Sequence, residues 1–273
     1  MRIYGVDFTS APRPTKPIVC SVCDFNGAVL TLTSFCNINS FGEFEGFLSH
    51  DGPWIAGIDF PFGQPRKLVE NLAWPYCWKG YVDYVGRMGK EKFEESLRNY
   101  RDPESGKHRL LRETDRKAGA RSPMQLDFTP VGKMFFRGAP YLLKCCASIL
   151  PCCPRSDDRI VLETYPALAA RVFIGKQSYK NDLKGKQVPK QLEMRSRIIS
   201  NLDPRLTEFY GLDICLSQQH IHMMLDDPSA DYLDAALCAV QTAWAYVRSA
   251  EGYGIPDAAD SLEGWIVDPS VLL

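Results

Sequence analysis

Asp7, Asp59 and Glu163 each close a short apolar run, in IYGVD, WIAGID and IVLE, and each is followed within four residues by a turn-like or helix-breaking segment. In an open α/β sheet the strand ends deliver side chains to a ligand from a rigid frame. If these strands are neighbours with matched direction, the three acids converge. Asp231 and Asp234, in DYLDAAL, are three apart and share a helix face. Leu237 and Cys238 continue that face, so it turns inward. A lone buried carboxylate is costly and needs a pairing group or a metal. Acids gathered around one point repel each other, and a divalent cation turns that repulsion into binding. Oxygen-only ligation suits Mg²⁺ or Mn²⁺, and two such ions about 4 Å apart can activate water and stabilise the leaving oxygen in phosphodiester cleavage. Taken singly, each acid has an ordinary alternative. Asp7 and Asp59 would be turn acids at strand ends, Glu163 the partner of a lysine, and Asp231 a complement to a helix dipole.

The cations fall in two stretches. Lys107 to Arg121 holds six Lys/Arg against Glu113 and Asp115, and Arg171 to Arg197 holds eight against Asp182 and Glu193. From Asp226 onward nine acids face only Arg248. Basic stretches beside an acidic one suit a polyanionic ligand near a carboxylate site, or else form solvated helix faces. Arg112 and Arg116 of RETDR, with Lys117 and Arg121, offer the planar fork that matches phosphate oxygens, or internal ion pairs on an exposed helix. Lys180, Lys184, Lys186, Lys190 and Arg195 could track a backbone by charge alone, with strong salt dependence. Cys20 and Cys23 lie in a predicted strand and read as small buried hydrophobes rather than a redox pair. Cys145-Cys146 and Cys152-Cys153 bracket Pro151, where a soft metal is the minority reading. His220 and His222 alternate on what reads as an extended segment. Trp74, Trp78 and Tyr81 fit either base stacking or a helical core stripe.

The elements that must position these groups alternate. Met1 to Val6 reads as a strand. Pro17 to Asp24 and Ala28 to Phe35 read as a hairpin about Asn26-Gly27. Ser40 caps a helix to His50, with Phe41, Phe44, Phe47 and Leu48 at helical spacing. Trp54 to Phe60 is another strand. Residues 66–158 change character. Helices are expected at Arg66–Trp78, Lys90–Tyr100 and Lys107–Lys117, then a Gly/Pro/aromatic stretch from Ser122 to Pro140 and an apolar run from Tyr141 to Leu150. Arg159 to Leu162 is a strand, with helices over Pro166–Phe173 and Pro189–Asn201. A last helix starts near Asp226-Asp227-Pro228, with Asp227 as cap and Pro228 at its first position, and runs to about Ser249. The expected organisation is a discontinuous α/β core (1–65 and 159–250), a mainly helical insertion (66–158) and a tail (251–273).

The bulk numbers set bounds. A chain of 273 residues with 45% hydrophobic and 24% charged residues and net charge −1 can bury one large core. The N-terminus reads as strand at once, so no signal peptide is expected. No apolar run reaches the length of a membrane span, so no membrane partner is expected. The ten cysteines then point to free thiols in a reducing, cytoplasmic setting. No G-x-x-x-x-G-K-[ST], G-x-S-x-G or G-x-G-x-x-G occurs, which argues against a P-loop enzyme, an α/β-hydrolase and a simple dinucleotide enzyme.

Five segments, GVDFTSAP, GIDFPFGQP, RETDRKAGARSP, LETYPALAAR and DYLDAALCA, resemble the family called domain of unknown function 429, a set of predicted ribonuclease H-like nucleases. They span residues 5–239. The resemblance implies a ribonuclease H-like α/β fold, a mixed sheet flanked by helices, with Asp7, Asp59, Glu163 and Asp234 as the acidic site and Asp231 beside it. The expected function is a Mg²⁺- or Mn²⁺-dependent nuclease or phosphodiesterase acting on nucleic acid or a nucleotide-like phosphodiester. Asp7 and Asp59 would bind metal, Asp7 bridging two ions. Glu163 and Asp234 would complete the shell, and Arg112, Arg116, Lys180 and Arg195 would hold substrate. RNA, DNA, branched DNA and small nucleotides all remain as substrates. Two rivals share the fold. An actin-like or sugar-kinase phosphotransferase also opens with Asp near Thr/Ser, as in Asp7-x-Thr9-Ser10. A non-catalytic nucleic-acid-binding module would be indifferent to EDTA.

Overall fold

The computed structural model describes residues 1–181 and 183–272, the side chains of Lys184, Asp203, Pro204 and Arg205 excepted. Seven strands form one sheet: β1 (Arg2–Asp7), β2 (Ile18–Phe25), β3 (Val29–Ile38), β4 (Trp54–Ile58), β5 (Ser148–Ile149), β6 (Arg159–Glu163) and β7 (Asp213–Cys215). Their order is β5-β6-β4-β1-β2-β3-β7. β2 runs antiparallel to β1 and β3, and every other pairing is parallel. The β2–β3 hairpin turns at Asn26-Gly27, where Gly27 takes φ 103° and the Asn26 side chain accepts from the amides of Ala28 and Val29.

Helices cover both faces. On one face lie α1 (Phe41–Leu48), α2 (Arg66–Asn71), α3 (Trp78–Met88), α4 (Lys90–Asn99) and α6 (Val131–Lys144), while α5 (Glu113–Ala118) packs its Ala118 with Leu168, Trp265, Ile266 and Val271. On the other lie α7 (Pro166–Ile174), α8 (Pro189–Ser200), α9 (Leu202–Tyr210), α10 (Gln218–Asp226) and α11 (Asp231–Val247). The helices of the 66–158 segment share a core with the first strands: Phe8, Phe44, Ile58 and Phe60 pack in one cluster with Tyr81, Phe93 and Phe135. Trp74, Trp78 and Tyr81 are buried in it, so they form the core stripe and not a stacking surface. The segment also returns β5 to the sheet beside β6. The tail is tied in as well: Val267 donates its amide to the Glu163 carbonyl (2.9 Å), and Trp265, Ile266 and Val267 are buried.

Several expectations differ in detail. The helix expected over Arg66–Trp78 ends at Asn71 and a separate helix, α3, starts at Trp78; α6 begins at Val131, inside the stretch read as Gly/Pro/aromatic, and continues through Pro140 to Lys144. The basic stretch 107–117 is helical only from Glu113, because the Arg112 backbone is extended and starts the helix as its cap. His220 and His222 sit on helix α10, whose Ser217 cap accepts from the His220 amide (3.2 Å), and not on an extended segment. The last helix begins at Asp231 and not at Pro228. Residues 227–230 form a turn in which the Asp227 carboxylate accepts from the Ser229 and Tyr232 amides, and Ala230 takes φ 60°.

α11 is apolar on almost every side and buried from Leu233 to Ala245, as a central helix must be. It reaches the sheet only because the strands below it carry glycine. A Cβ on Gly5 would lie 2.1 Å from the Ala235 carbonyl oxygen and 2.2 Å from the Ala239 nitrogen. A Cβ on Gly57 would lie 2.0 Å from Thr242 Oγ1. The Ser21 hydroxyl locks the contact by donating to the Ala235 carbonyl (2.8 Å).

Gly5→Ala is therefore expected to lower stability by about 1–3 kcal/mol in urea denaturation, the usual cost of overpacking a core. Gly46, on α1 with open space around its added Cβ, is the control. Gly46→Ala is expected to gain up to about 1 kcal/mol from helix propensity.

Candidate functional site

β6, β4 and β1 are adjacent and parallel, so Glu163, Asp59 and Asp7 do reach the same edge of the sheet. The register separates them. Val6 pairs with Ile58, and Ile58 with Glu163. Neighbouring residues in a sheet point the same way and successive residues alternate. Glu163 therefore shares the face of Val6 and Ile58, toward α1 and α5. Asp7 and Asp59, one residue further on, point with Gly5 and Gly57 toward α11. The ladder continues to this point, since the Asp59 amide donates to the Val6 carbonyl (2.9 Å).

Glu163 is enclosed. Arg112 donates to Oε1 (2.6 Å) and Oε2 (2.8 Å), and the Phe62 amide donates to Oε2 (2.9 Å). Arg112 also grips Asp115 through Nε (3.0 Å) and Nη2 (2.7 Å), and the Glu263 carbonyl through Nη1 (2.8 Å). All five guanidinium N–H groups are thereby used. Arg112, Asp115 and Glu163 are each no more than 2% exposed. Arg112 is thus a structural cation with no donor left for phosphate. Burial raises the Glu163 pKa and Arg112 opposes it.

Asp234 is enclosed in the same manner on the other face. It is fully buried, accepts from Tyr179 Oη at Oδ1 (2.7 Å) and forms an ion pair with Lys180 at Oδ2. Burial works against the Lys180 charge, but Asp234, Tyr179 and Asp7 outweigh it, and the ammonium is held well above its ordinary pKa.

What remains is Asp7 and Asp59, half-buried and side by side. Among the described residues neither carboxylate has a hydrogen-bond or ion-pair partner. Burial raises Asp7 well above the usual carboxylate range; Lys180 opposes this, while Asp231, Asp234 and Asp59 add to it. Burial likewise pushes Asp59 up to about 7, against Lys180. Asp231 is pushed up to about 6 by burial and by Asp227. These three acids line a cavity of about 400 Å³ whose wall also carries Thr9, Ser10, Lys180, Arg121 and Phe128. That volume suits a small ligand or one nucleotide unit rather than a duplex.

The other candidates go elsewhere. Arg116 is exposed and donates to the Leu111 carbonyl (2.7 Å). Arg195 is buried and ties the end of α10 to the segment at Tyr179 through the Leu225 (3.1 Å) and Tyr179 (2.9 Å) carbonyls, so it presents no charge to a ligand. Lys186 and Lys190 are exposed. Asp182 and the Lys184 side chain lie outside the described residues. The cysteines are free thiols, with Cys20 and Cys23 buried in β2. Among the described residues no group of three or more His, Cys, Asp or Glu is arranged to hold a metal ion. Of the five acids, Asp7, Asp59, Glu163 and Asp231 line the one cavity, while Arg112 pairs Glu163 and Lys180 pairs Asp234. Lys16, Arg112, Arg121 and Lys180 all line the cavity, but Arg112 has no donor left for a ligand. Sequence reading grouped Arg121 with the RETDR arginines, and only burial separates them.

The fold and cavity define a mixed α/β protein, a seven-stranded sheet flanked by helices, with a carboxylate-lined pocket at its parallel strand ends. A family model described as Protein of unknown function (DUF429) matches residues 146–260, which include Glu163, Lys180, Asp231 and Asp234. This match supports the resemblance seen in the sequence motifs. No curated protein and no solved structure matches. No helix among the described residues is long and apolar enough to cross a membrane.

Two outcomes are expected. Arg112→Ala leaves Glu163 and Asp115 buried without their cation and costs about 3–5 kcal/mol in urea unfolding; an Arg112 acting on substrate would instead leave stability intact. The second concerns pH. Between pH 4 and 7 the folded state holds an Asp59 proton that the unfolded chain has released, so this group's contribution falls as pH rises. Asp59→Asn is expected to raise stability at pH 8 by about 1–2 kcal/mol and to have little effect at pH 5, read from thermal or urea unfolding.

Proposed function

We propose that the protein is a divalent-metal-dependent phosphodiesterase of the nuclease type on a ribonuclease H-like core. The fold reading is supported by the order β3-β2-β1-β4-β6 with β2 alone antiparallel. The observation that carries the functional reading is the Asp7–Asp59 pair: adjacent carboxylates, turned into a cavity, with no partner among the described residues. Burial above all, and the neighbouring acids after it, raise the pKa of both carboxylates, which is the condition a cation relieves.

The residues present fit Mg²⁺ or Mn²⁺. Mg²⁺ is commonly held by one or two carboxylates, with waters and substrate phosphate completing the shell, rather than by an all-protein cage. Asp7 and Asp59 would hold it, and it would supply charge stabilisation to a phosphate and acidify water. Arg121 and Lys180 make the wall attractive to a phosphodiester. Asp231, which lines the same cavity with its pKa pushed up to about 6, would accept a proton from water. Asp234 keeps Lys180 charged and in place. Glu163, through Arg112, braces the strand end and takes no part in the chemistry.

The test is hydrolysis of labelled single-stranded oligonucleotides and of bis(p-nitrophenyl) phosphate with Mn²⁺ or Mg²⁺, alongside ATP. Cleavage that EDTA abolishes, and that Asp7→Asn and Asp59→Asn each reduce by about 100-fold or more, is expected. Turnover of ATP alone, or full activity in Asp7→Asn, would overturn the reading.

A further inference from the structure

Phe128 stands out from the other aromatic rings. It is fully exposed, at 105%, while Phe8, Phe60, Phe62 and Phe135 nearby in the fold are buried. Its backbone sits at φ 61°, a left-handed conformation that a bulky L-residue adopts rarely and at a cost. The loop that imposes this is braced. The Thr129 amide donates to the Asp127 carbonyl (2.8 Å), and the Val131 amide to the Thr129 carbonyl (2.9 Å). The Gln125 side chain, 7% exposed, donates to the Asp127 carbonyl (3.0 Å), and the Gly132 amide donates to the Gln125 carbonyl (2.8 Å). The ring is thus presented on a stiff support, with its faces open, at the rim of the cavity that Asp7, Asp59, Arg121 and Lys180 line.

We infer that Phe128 is a stacking platform for an unpaired nucleobase of the substrate. This rests on the phosphodiesterase reading and narrows it. A phosphate drawn to the acid-and-cation wall brings its own base to the rim. Only a base free of its helix can offer a π-face to the ring, so the substrate is a single strand, a frayed end or a single nucleotide unit, and not intact duplex. Stacking is tolerant of base identity, because every base has a π-face. The strained, braced loop keeps the ring from collapsing onto the cavity, so the ordering cost is met before the ligand arrives.

The test uses 2-aminopurine, whose fluorescence is quenched on stacking, in a short single-stranded oligonucleotide and as the free nucleoside 5′-monophosphate, with Ca²⁺ in place of Mg²⁺. Wild-type protein is expected to quench both. Phe128→Ala is expected to bind the oligonucleotide about 10-fold or more weakly without quenching, and Phe128→Trp to retain affinity and quenching. An abasic oligonucleotide is expected to bind wild type and Phe128→Ala alike. Unchanged quenching in Phe128→Ala, tighter binding of duplex than single strand, or an equal loss with the abasic oligonucleotide overturns the inference. The two readings fail separately. Normal metal-dependent cleavage by Phe128→Ala with wild-type affinity removes the stacking role and leaves the phosphodiesterase. Phe128-dependent quenching without any phosphodiester hydrolysis removes the phosphodiesterase and leaves a nucleotide-binding site.

Discussion

The backbone of α11 lies directly on the backbones of β1 and β4, and the placement of the cavity depends on that contact. Gly5 and Gly57 leave no side chain between helix and sheet, and Ser21 ties the helix down from the neighbouring strand. Because residues of a strand alternate, the positions two beyond these glycines, Asp7 and Asp59, face the same helix at its first turn. The close approach therefore brings Asp231 and Asp234 to the two strand-end acids. A single methyl at Gly5 would have to move the helix, and the acids of α11 would move with it.

Charge is divided by the sheet. On one face Arg112 satisfies Asp115 and Glu163 with four of its five donors. On the other, Lys180 and Tyr179 satisfy Asp234. Buried ions are tolerated only when paired and hydrogen-bonded, and both of these clusters obey that rule. Asp7 and Asp59 do not, and their raised pKa values follow from it. The contrast between three paired carboxylates and two without a hydrogen-bond or ion-pair partner among the described residues separates structural supports from the pair on which the proposed chemistry rests.

Much of the frame was legible because it follows from short-range rules. Asn26-Gly27 forces a hairpin, alternation marks β3, and the acids at the ends of IYGVD, WIAGID and IVLE lie at strand ends as expected. The start of α11 was misread by three residues, because Asp227 and Pro228 carry a capping signature that is used here in a preceding turn. His220 and His222 were misread because the period-two pattern of HIH is too short to outweigh the helix that Ser217 caps. Arg112 and Arg195 look like phosphate ligands by residue type alone. Their burial against carboxylates or carbonyls distant in the chain is invisible to local pattern.

By itself the sequence determined which residues could meet at the sheet edge: apolar runs must be strands, and an acid at the end of such a run must emerge where the strand does. Only the tertiary structure decided which of those acids meet. The pairing of Ile58 with both Val6 and Glu163 is a register, and register is set by packing across the whole sheet. One residue of offset sends Glu163 to Arg112 and leaves Asp7 and Asp59 together in the cavity.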